Sequence, residues 1–197
     1  MDEILEFRKN ALQGGGFTTP LCADYKKKWF TCHGDKEKLM RLALMCQSAP
    51  YIATFFYHGK CVSVDYMMKE YGEFINGRVF DNCDGVDGFT YQMYFNTTAG
   101  FKMASDVSQI LFCPDINVEI PETKCPRLYI SNRSSVHLTL NGFNSVTVYL
   151  FDESTVDIVA SDENSKVTIL KYSDKANVVT GDYCLGKIKV HEKELRI

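Results

Sequence analysis

The sequence predicts an α+β fold, with a small helical bundle over residues 1–78 followed by a β-solenoid over residues 79–197. Apolar residues recur at helical spacing in the first part and at alternate positions in the second. In the second part, short strands begin with valine at intervals of 10 or 11 residues, at positions 136, 146, 156, 167 and 178. Because the strands of a β-sandwich also recur about every 8–12 residues, a sandwich is the alternative for this second domain.

Five short helices are predicted in the first domain. Segments 2–13 and 21–31 place apolar side chains on one side at helical spacing. Asp35 suits an N-cap and marks the start of the third helix. Pro50 suits the first turn of the fourth helix, and Ser63 suits the N-cap of the fifth. Short helices joined by short loops pack together as a compact bundle.

In the second domain, the turns favour a solenoid. Two-residue hairpins favour Asn-Gly or Gly-Gly, whereas only one glycine occurs among the polar clusters between these strands. Two strands per coil of roughly 20 residues would stack by parallel pairing about 4.8 Å apart. Val, Leu and Ile would then point inward, and Thr, His, Tyr and Asp outward. The polar clusters are residues 131–134, 141–144, 152–154, 161–164 and 173–174.

Each end of a solenoid exposes a strand edge whose backbone groups need a cap or a neighbouring strand. The helical domain is expected to cap one end. Residues 181–190 are expected either to cap the other end or to pair with their counterpart in a second chain. The second arrangement predicts a homodimer formed through the solenoid end.

Charge is unevenly distributed along the 197 residues. Residues 1–78 hold 11 basic and 9 acidic side chains, a balance of +2, while residues 79–197 hold 11 basic and 16 acidic, a balance of −5. This distribution argues against nucleic-acid binding. No apolar run approaches the roughly 18 residues that span a bilayer. The charged start of the chain lacks a secretory signal, so we expect a cytoplasmic protein without a membrane partner.

In a reducing compartment, the eight cysteines are expected to be free thiols, most of them buried as small apolar side chains. They are Cys22, Cys32, Cys46, Cys61, Cys83, Cys113, Cys125 and Cys184.

Several clusters contain residue types that occur in functional sites, and each has a simpler interpretation. The acidic segment 81–88 suggests a calcium loop, but Cys83 and Gly85 occupy positions where an EF-hand needs oxygen ligands, so a turn is predicted. Segment 25–30 interleaves lysines with aromatic residues, yet helical spacing places the aromatic rings on one face and the lysines on the other. His137 falls on an outward strand position and is expected at the surface.

Two cysteine–histidine pairs, Cys32-His33 and His58-x-x-Cys61, contain the residue types of a zinc site or of a cysteine nucleophile. Zinc sites show paired motifs, and only one weak half-site occurs here. Phosphate-binding loops, dinucleotide fingerprints and nucleophile elbows are absent from the sequence. We therefore predict no catalytic, metal-binding or cofactor-binding residue, and a protein that is not an enzyme.

The source of the chain is indicated by a resemblance. The ordered segments CADYKKKW, DKEKLMRLAL, YGEFINGRVF, GFTYQMY, INVEIP and LYI resemble small hypothetical proteins encoded by gut Bacteroides, their prophages and phages. Those proteins combine a helical front with a β-repetitive tail, and the match covers most of the chain. Residues 56–59 depart from it, reading FYHG where relatives often carry Gly-Trp-Gly. The resemblance implies a phage or mobile-element source and no particular activity.

The leading functional hypothesis is a non-enzymatic interaction protein of a phage or mobile element. It would bind a host protein in the bacterial cytoplasm and thereby inhibit a defence system, since repeat surfaces are suited to protein binding. A virion structural component, located in the particle and contacting phage proteins, is one alternative. A binder of a small molecule such as a signalling nucleotide is the other.

Overall fold

The fold is a parallel β-solenoid built from two facing sheets. The computed structural model describes residues 27, 31, 35–38, 69–70, 72–73, 80–82, 90–122 and 124–193. The strands in this part of the chain are β1 Phe80–Asn82, β2 Tyr91–Phe95, β3 Phe101–Lys102, β4 Val107–Leu111, β5 Ile116–Ile120, β6 Arg127–Ser131, β7 Ser135–Leu140, β8 Ser145–Leu150, β9 Thr155–Ala160, β10 Lys166–Lys171, β11 Asn177–Thr180 and β12 Lys187–Glu192.

From β2 onward, successive strands alternate between the two sheets. The first sheet has the order β1-β2-β4-β6-β8-β10-β12, and the second has the order β3-β5-β7-β9-β11. Apart from the antiparallel pair of β1 and β2, neighbouring strands among these pair in parallel. The chain therefore winds around one core, and each strand pairs with the strand one coil before it and one coil after it.

The valine interval in the sequence is half a coil. Val136, Val156 and Val178 pair in succession in the second sheet. Val146 and Val167 pair in the first sheet. Every second valine therefore stacks directly on its predecessor, which confirms the prediction of two strands per coil and excludes the antiparallel sandwich.

The core lies between the sheets and consists of stacked apolar rows. In the second sheet, Val136 stacks on Val156 and Leu138 on Ile158, and all four side chains are buried. Burial alternates along β7, β8 and β9, because successive side chains of a strand point to opposite faces. Each sheet therefore contributes a single layer of branched apolar side chains to the core.

At the corners, where the strand ladder is interrupted, small polar residues replace its hydrogen bonds. Ser134, Asn144, Ser154 and Ser165 each stand directly before a strand and are fully buried. The hydroxyl of Ser134 accepts a hydrogen bond from the backbone N–H of Cys113 at 3.1 Å, and Ser154 accepts one from Ser134 at 3.2 Å. At the other corner, Ser165 accepts one from the N–H of Asn144 at 3.3 Å. Since an unpaired buried N–H is destabilising, these side chains allow the chain to turn sharply inside the fold.

A carboxylate ties together the first two coils of the first sheet. Asp106, which precedes β4, accepts hydrogen bonds from the backbone N–H of Thr90 at 2.9 Å and from its hydroxyl at 2.8 Å. The Thr90 N–H is the main cause that lowers the pKa of the Asp106 carboxyl, and partial burial opposes it. The charged form of Asp106 therefore stabilises the folded chain.

The α+β class is a wrong prediction. The described residues form mostly a parallel β-solenoid, and few of them are helical. Nearly all of the five predicted helices falls outside the described residues, and the helical bundle is not retained. Helical spacing of apolar residues is insufficient evidence for a bundle, because short helices are marginal without tertiary packing. The solenoid of the second domain is confirmed, and the boundary between residues 78 and 79 stays a prediction.

Candidate interaction surfaces

The outer face of the second sheet presents stacked rows of polar and apolar side chains. One row consists of Asn117, His137, Asp157 and Val179, which occupy equivalent positions in four successive coils. A neighbouring row consists of Glu119, Thr139 and Val159. Val159 and Val179 are exposed large apolar residues. We call these two rows, together with Asp115 and Lys102, the second-sheet face.

The polar contacts of a histidine connect successive coils across this face. His137 lies between two carboxylates, with Nε2 at 3.1 Å from Asp115 Oδ1 and Nδ1 at 3.3 Å from Asp157 Oδ2. Exposed contacts of this kind add little stability, but they restrict the orientation of the side chains they join. The histidine ring is thereby held across three coils on an open surface.

A second group of charges borders the same face. Glu119 Oε1 accepts hydrogen bonds from Lys102 Nζ at 3.1 Å and from Asn141 Nδ2 at 2.9 Å. The hydrogen bond from Lys102, followed by that from Asn141, lowers the pKa of the Glu119 carboxyl. A shallow groove of about 390 Å³ runs beside it, next to Gly100 and Phe101. The groove is lined by the same polar residues, so it continues the second-sheet face.

A larger groove of about 520 Å³ lies at one corner of the solenoid. The Asp152 carboxylate accepts hydrogen bonds from the backbone N–H groups of Asn132 and Arg133, the latter at 3.0 Å, and both donors have a positive φ, 61° and 58°. Glu153 pairs with Arg133 at 3.2 Å and with Lys175 at 3.1 Å. Arg133, Glu153 and Lys175 of this corner groove are thus paired with one another.

The C-terminal end of the solenoid is a third surface. β11 and β12 are the last strands of the two sheets, and most of their residues are exposed. The turn between them carries Tyr183 and Leu185, which are 85% and 60% exposed. Apolar residues at a strand edge are rarely left uncovered in native proteins.

Of the residues singled out in the sequence, His137 is confirmed as an exposed residue on an outward strand position. The three described cysteines are free thiols. Cys113 is buried as predicted, and desolvation raises the pKa of its thiol to about 11. Cys184 is half-buried and Cys125 is exposed, so the prediction that most of the eight cysteines are buried stays open for the five outside the described residues.

The remaining candidates lie wholly or mostly outside the described residues. This holds for both cysteine–histidine pairs, for segment 25–30 except Lys27, and for segment 81–88 except residues 81 and 82, which belong to β1. Within the part of the chain that the structure describes, no three His, Cys, Asp or Glu side chains are grouped as a metal site.

Sequence reasoning did not identify the two carboxylates that flank His137. Asp157 could have been found, because it follows His137 at the coil spacing of 20 residues and pairs with it in the sheet. Asp115 lies in the turn before β5, outside the strand register, and no sequence signal indicated its contact.

By its fold, the described chain is a two-sheet parallel β-solenoid. Comparisons with models of protein families, with curated proteins and with solved structures find no match. Among the described residues, no helical stretch has the length and apolar character needed to cross a bilayer.

Proposed function

We propose that the protein is a non-enzymatic interaction protein of a phage or mobile element that binds a host protein through the second-sheet face. The observation that supports this most is the ordered array of paired charges and exposed valines on that face, repeated at the spacing of the coils. A regular surface of this kind suits a protein partner, because recognition residues recur at fixed distances along it.

The charge of the face defines the chemistry of the partner. Asp115, Glu119 and Asp157 contribute three carboxylates, against one lysine, Lys102. A basic host surface with apolar side chains opposite Val159 would complement it, and complementary charge would speed association. The host protein would be a component of a bacterial defence system, acting in the cytoplasm, and binding would block it.

Charge reversal on the face tests this proposal. The tagged full chain is used to capture proteins from Bacteroides lysate, with and without phage infection, alongside the variants Asp157→Lys and Glu153→Lys. Glu153 is a carboxylate in the corner groove, away from the face, and its side chain is 45% exposed against 36% for Asp157, so its reversal is the matched control. Circular dichroism checks that both variants keep the fold.

We expect one host protein in stoichiometric amount with the parent chain and with Glu153→Lys, and at least a tenfold loss with Asp157→Lys. Equal capture by both variants would contradict binding through this face. Capture of phage structural proteins alone would contradict a host partner and favour the virion component. Capture of no protein would contradict the interaction function and leave the small-molecule binder.

A further inference from the structure

The last coil leaves the core of the solenoid open. Leu128, Val148, Ile169 and Val190 occupy equivalent inward positions in four successive coils of the first sheet. The first three are completely buried, whereas Val190 is 47% exposed. The row is therefore continuous in chemistry but uncovered at its end.

The second sheet ends in the same way. Thr180 pairs with Ile158, which is completely buried, yet Thr180 itself is exposed. No described strand pairs with the outer edge of β11 or of β12. Within the described chain, two strand edges without a pairing strand thus lie side by side, with an apolar core between them.

A second copy of the chain offers the matching surface. A molecule that covers this end must present two strand edges at the separation of these two sheets. A second copy of the chain does so, because its own two sheets have the same separation. Because the chain reverses at each corner, β11 and β12 run in opposite directions. A twofold axis parallel to the strands then places β12 of one copy antiparallel to β11 of the other, and the reverse pair forms at the same time.

We infer that two copies join end to end in this way, so that both sheets and the core continue from one chain into the next. The chain climbs one strand spacing, about 4.8 Å, in each coil. β12 therefore lies further along the solenoid axis than β11. When β12 of each copy pairs with β11 of the other, both sheets become continuous at the same time. This end shares only Val179 with the second-sheet face, and the inference rests on the strand edges and the inward rows, so it does not depend on the proposed function.

Charge selects this pairing over the pairing of β12 with itself. The outward row of the last strand and the residue after it contains Lys187, Lys189, His191 and Lys193. β12 could also pair antiparallel with β12 of the second copy. In each extensive register of that pair that keeps the inward residues inward, a lysine lies opposite a lysine. Like charges directly opposite one another destabilise a sheet.

β11 carries no charged residue, and its four side chains suit those of β12 in one register. Val178 then lies opposite Val190 and Thr180 opposite Ile188 on the inward side. On the outward side, Val179 lies opposite Lys189 and Asn177 opposite His191. A valine pair and a threonine–isoleucine pair therefore face the core, and on the outward side each charged or titratable side chain meets an uncharged one.

Cysteine cross-linking of the full chain tests the register. Directly opposite residues of an antiparallel pair lie within the distance that a disulfide spans. Under mild oxidation, the double variant Val178→Cys, Val190→Cys should form covalent dimers, well above the background of the parent chain and of either single variant. Dimers of Val190→Cys alone, at the level of the double variant, would overturn the inferred pairing in favour of β12 with itself.

Sedimentation velocity tests the dimer independently. The parent chain should sediment as a dimer, and Val190→Lys, which introduces a charge into the inward row, should weaken association at least tenfold. Val159→Lys is the matched control, because it changes an exposed valine on the second-sheet face and should leave the dimer intact. A parent chain that stays monomeric at every concentration that sedimentation can reach, or a dimer that withstands Val190→Lys, would overturn the inference.

Discussion

The same substitution should have very different effects at two equivalent positions of the first sheet. Val148 and Val190 lie in one inward row, two coils apart, and only the second is exposed. Truncation to alanine removes two carbon atoms, worth roughly 0.8 kcal/mol each in transfer from water, and leaves a cavity at Val148. We expect Val148→Ala to lower the free energy of unfolding by about 2–3 kcal/mol.

At Val190 the loss should be smaller. About half of this side chain already meets solvent, and no closed cavity forms at an open end, so Val190→Ala should lower the free energy of unfolding by less than about 1 kcal/mol. Terminal coils also fray separately from the interior, which weakens the effect of Val190 on global unfolding.

Urea titration followed by far-ultraviolet circular dichroism measures both losses. The titrations are made at a concentration where sedimentation shows a monomer, because association would cover Val190 and raise its contribution. Equal losses for the two variants under these conditions would refute the assignment of Val190 to an open last coil. A negligible loss for Val148→Ala would refute the packed interior itself.

Three further predictions concern single residues. In the folded chain, Cys113 should resist alkylation at pH 8 while Cys125 reacts, because burial raises the pKa of the Cys113 thiol to about 11. Peptide mass spectrometry measures both reactions, and comparable rates would refute the burial of Cys113. Asp106→Asn should lower stability at pH 7 by no more than about 1 kcal/mol, given the partial exposure of this group. Because its folded pKa is lowered, this stabilisation is present above about pH 4 and lost on acidification, so a pH-independent difference from the parent chain would contradict it. Gly186→Ala should destabilise the chain by about 1 kcal/mol or more, since the added methyl would lie 2.8 Å from the buried side chain of Ala160. Gly181→Ala has open space and should stay within about 0.5 kcal/mol of the parent chain in thermal unfolding. Equal effects of the two variants would refute the close contact at Gly186.

The solenoid was predictable because the repeated residues contact the equivalent residues of the next coil. Val136 and Val156 meet directly, so the chemistry of one coil constrains the next, and a constant interval results. The small buried residue two positions before each of these valines, such as Ser134 or Ser154, marks the corner more specifically than the valine does.

The interaction surfaces were harder to predict, since they depend on the register between coils. That register is 20 residues from β7 to β9 and 16 residues from β2 to β4, where Tyr91 pairs with Val107. Contacts across coils can be inferred only where the interval is regular, as for His137 and Asp157. Exposure at the last coil is equally invisible in sequence, because Val190 is the same residue type as its buried counterpart Val148.

Pairing restricted to the adjacent coil also determines how the molecule responds to mechanical force. A pull on the C-terminal end along the solenoid axis loads only the bonds between β12 and β10, and then those between β11 and β9. These bonds open one after another, and each detached coil should release roughly 20 residues, or about 70 Å of extended chain. A pull along the strand direction instead loads many parallel ladders at once. Low, regularly spaced force peaks in the first geometry and a single high peak in the second are the expected mechanical signature of the stack.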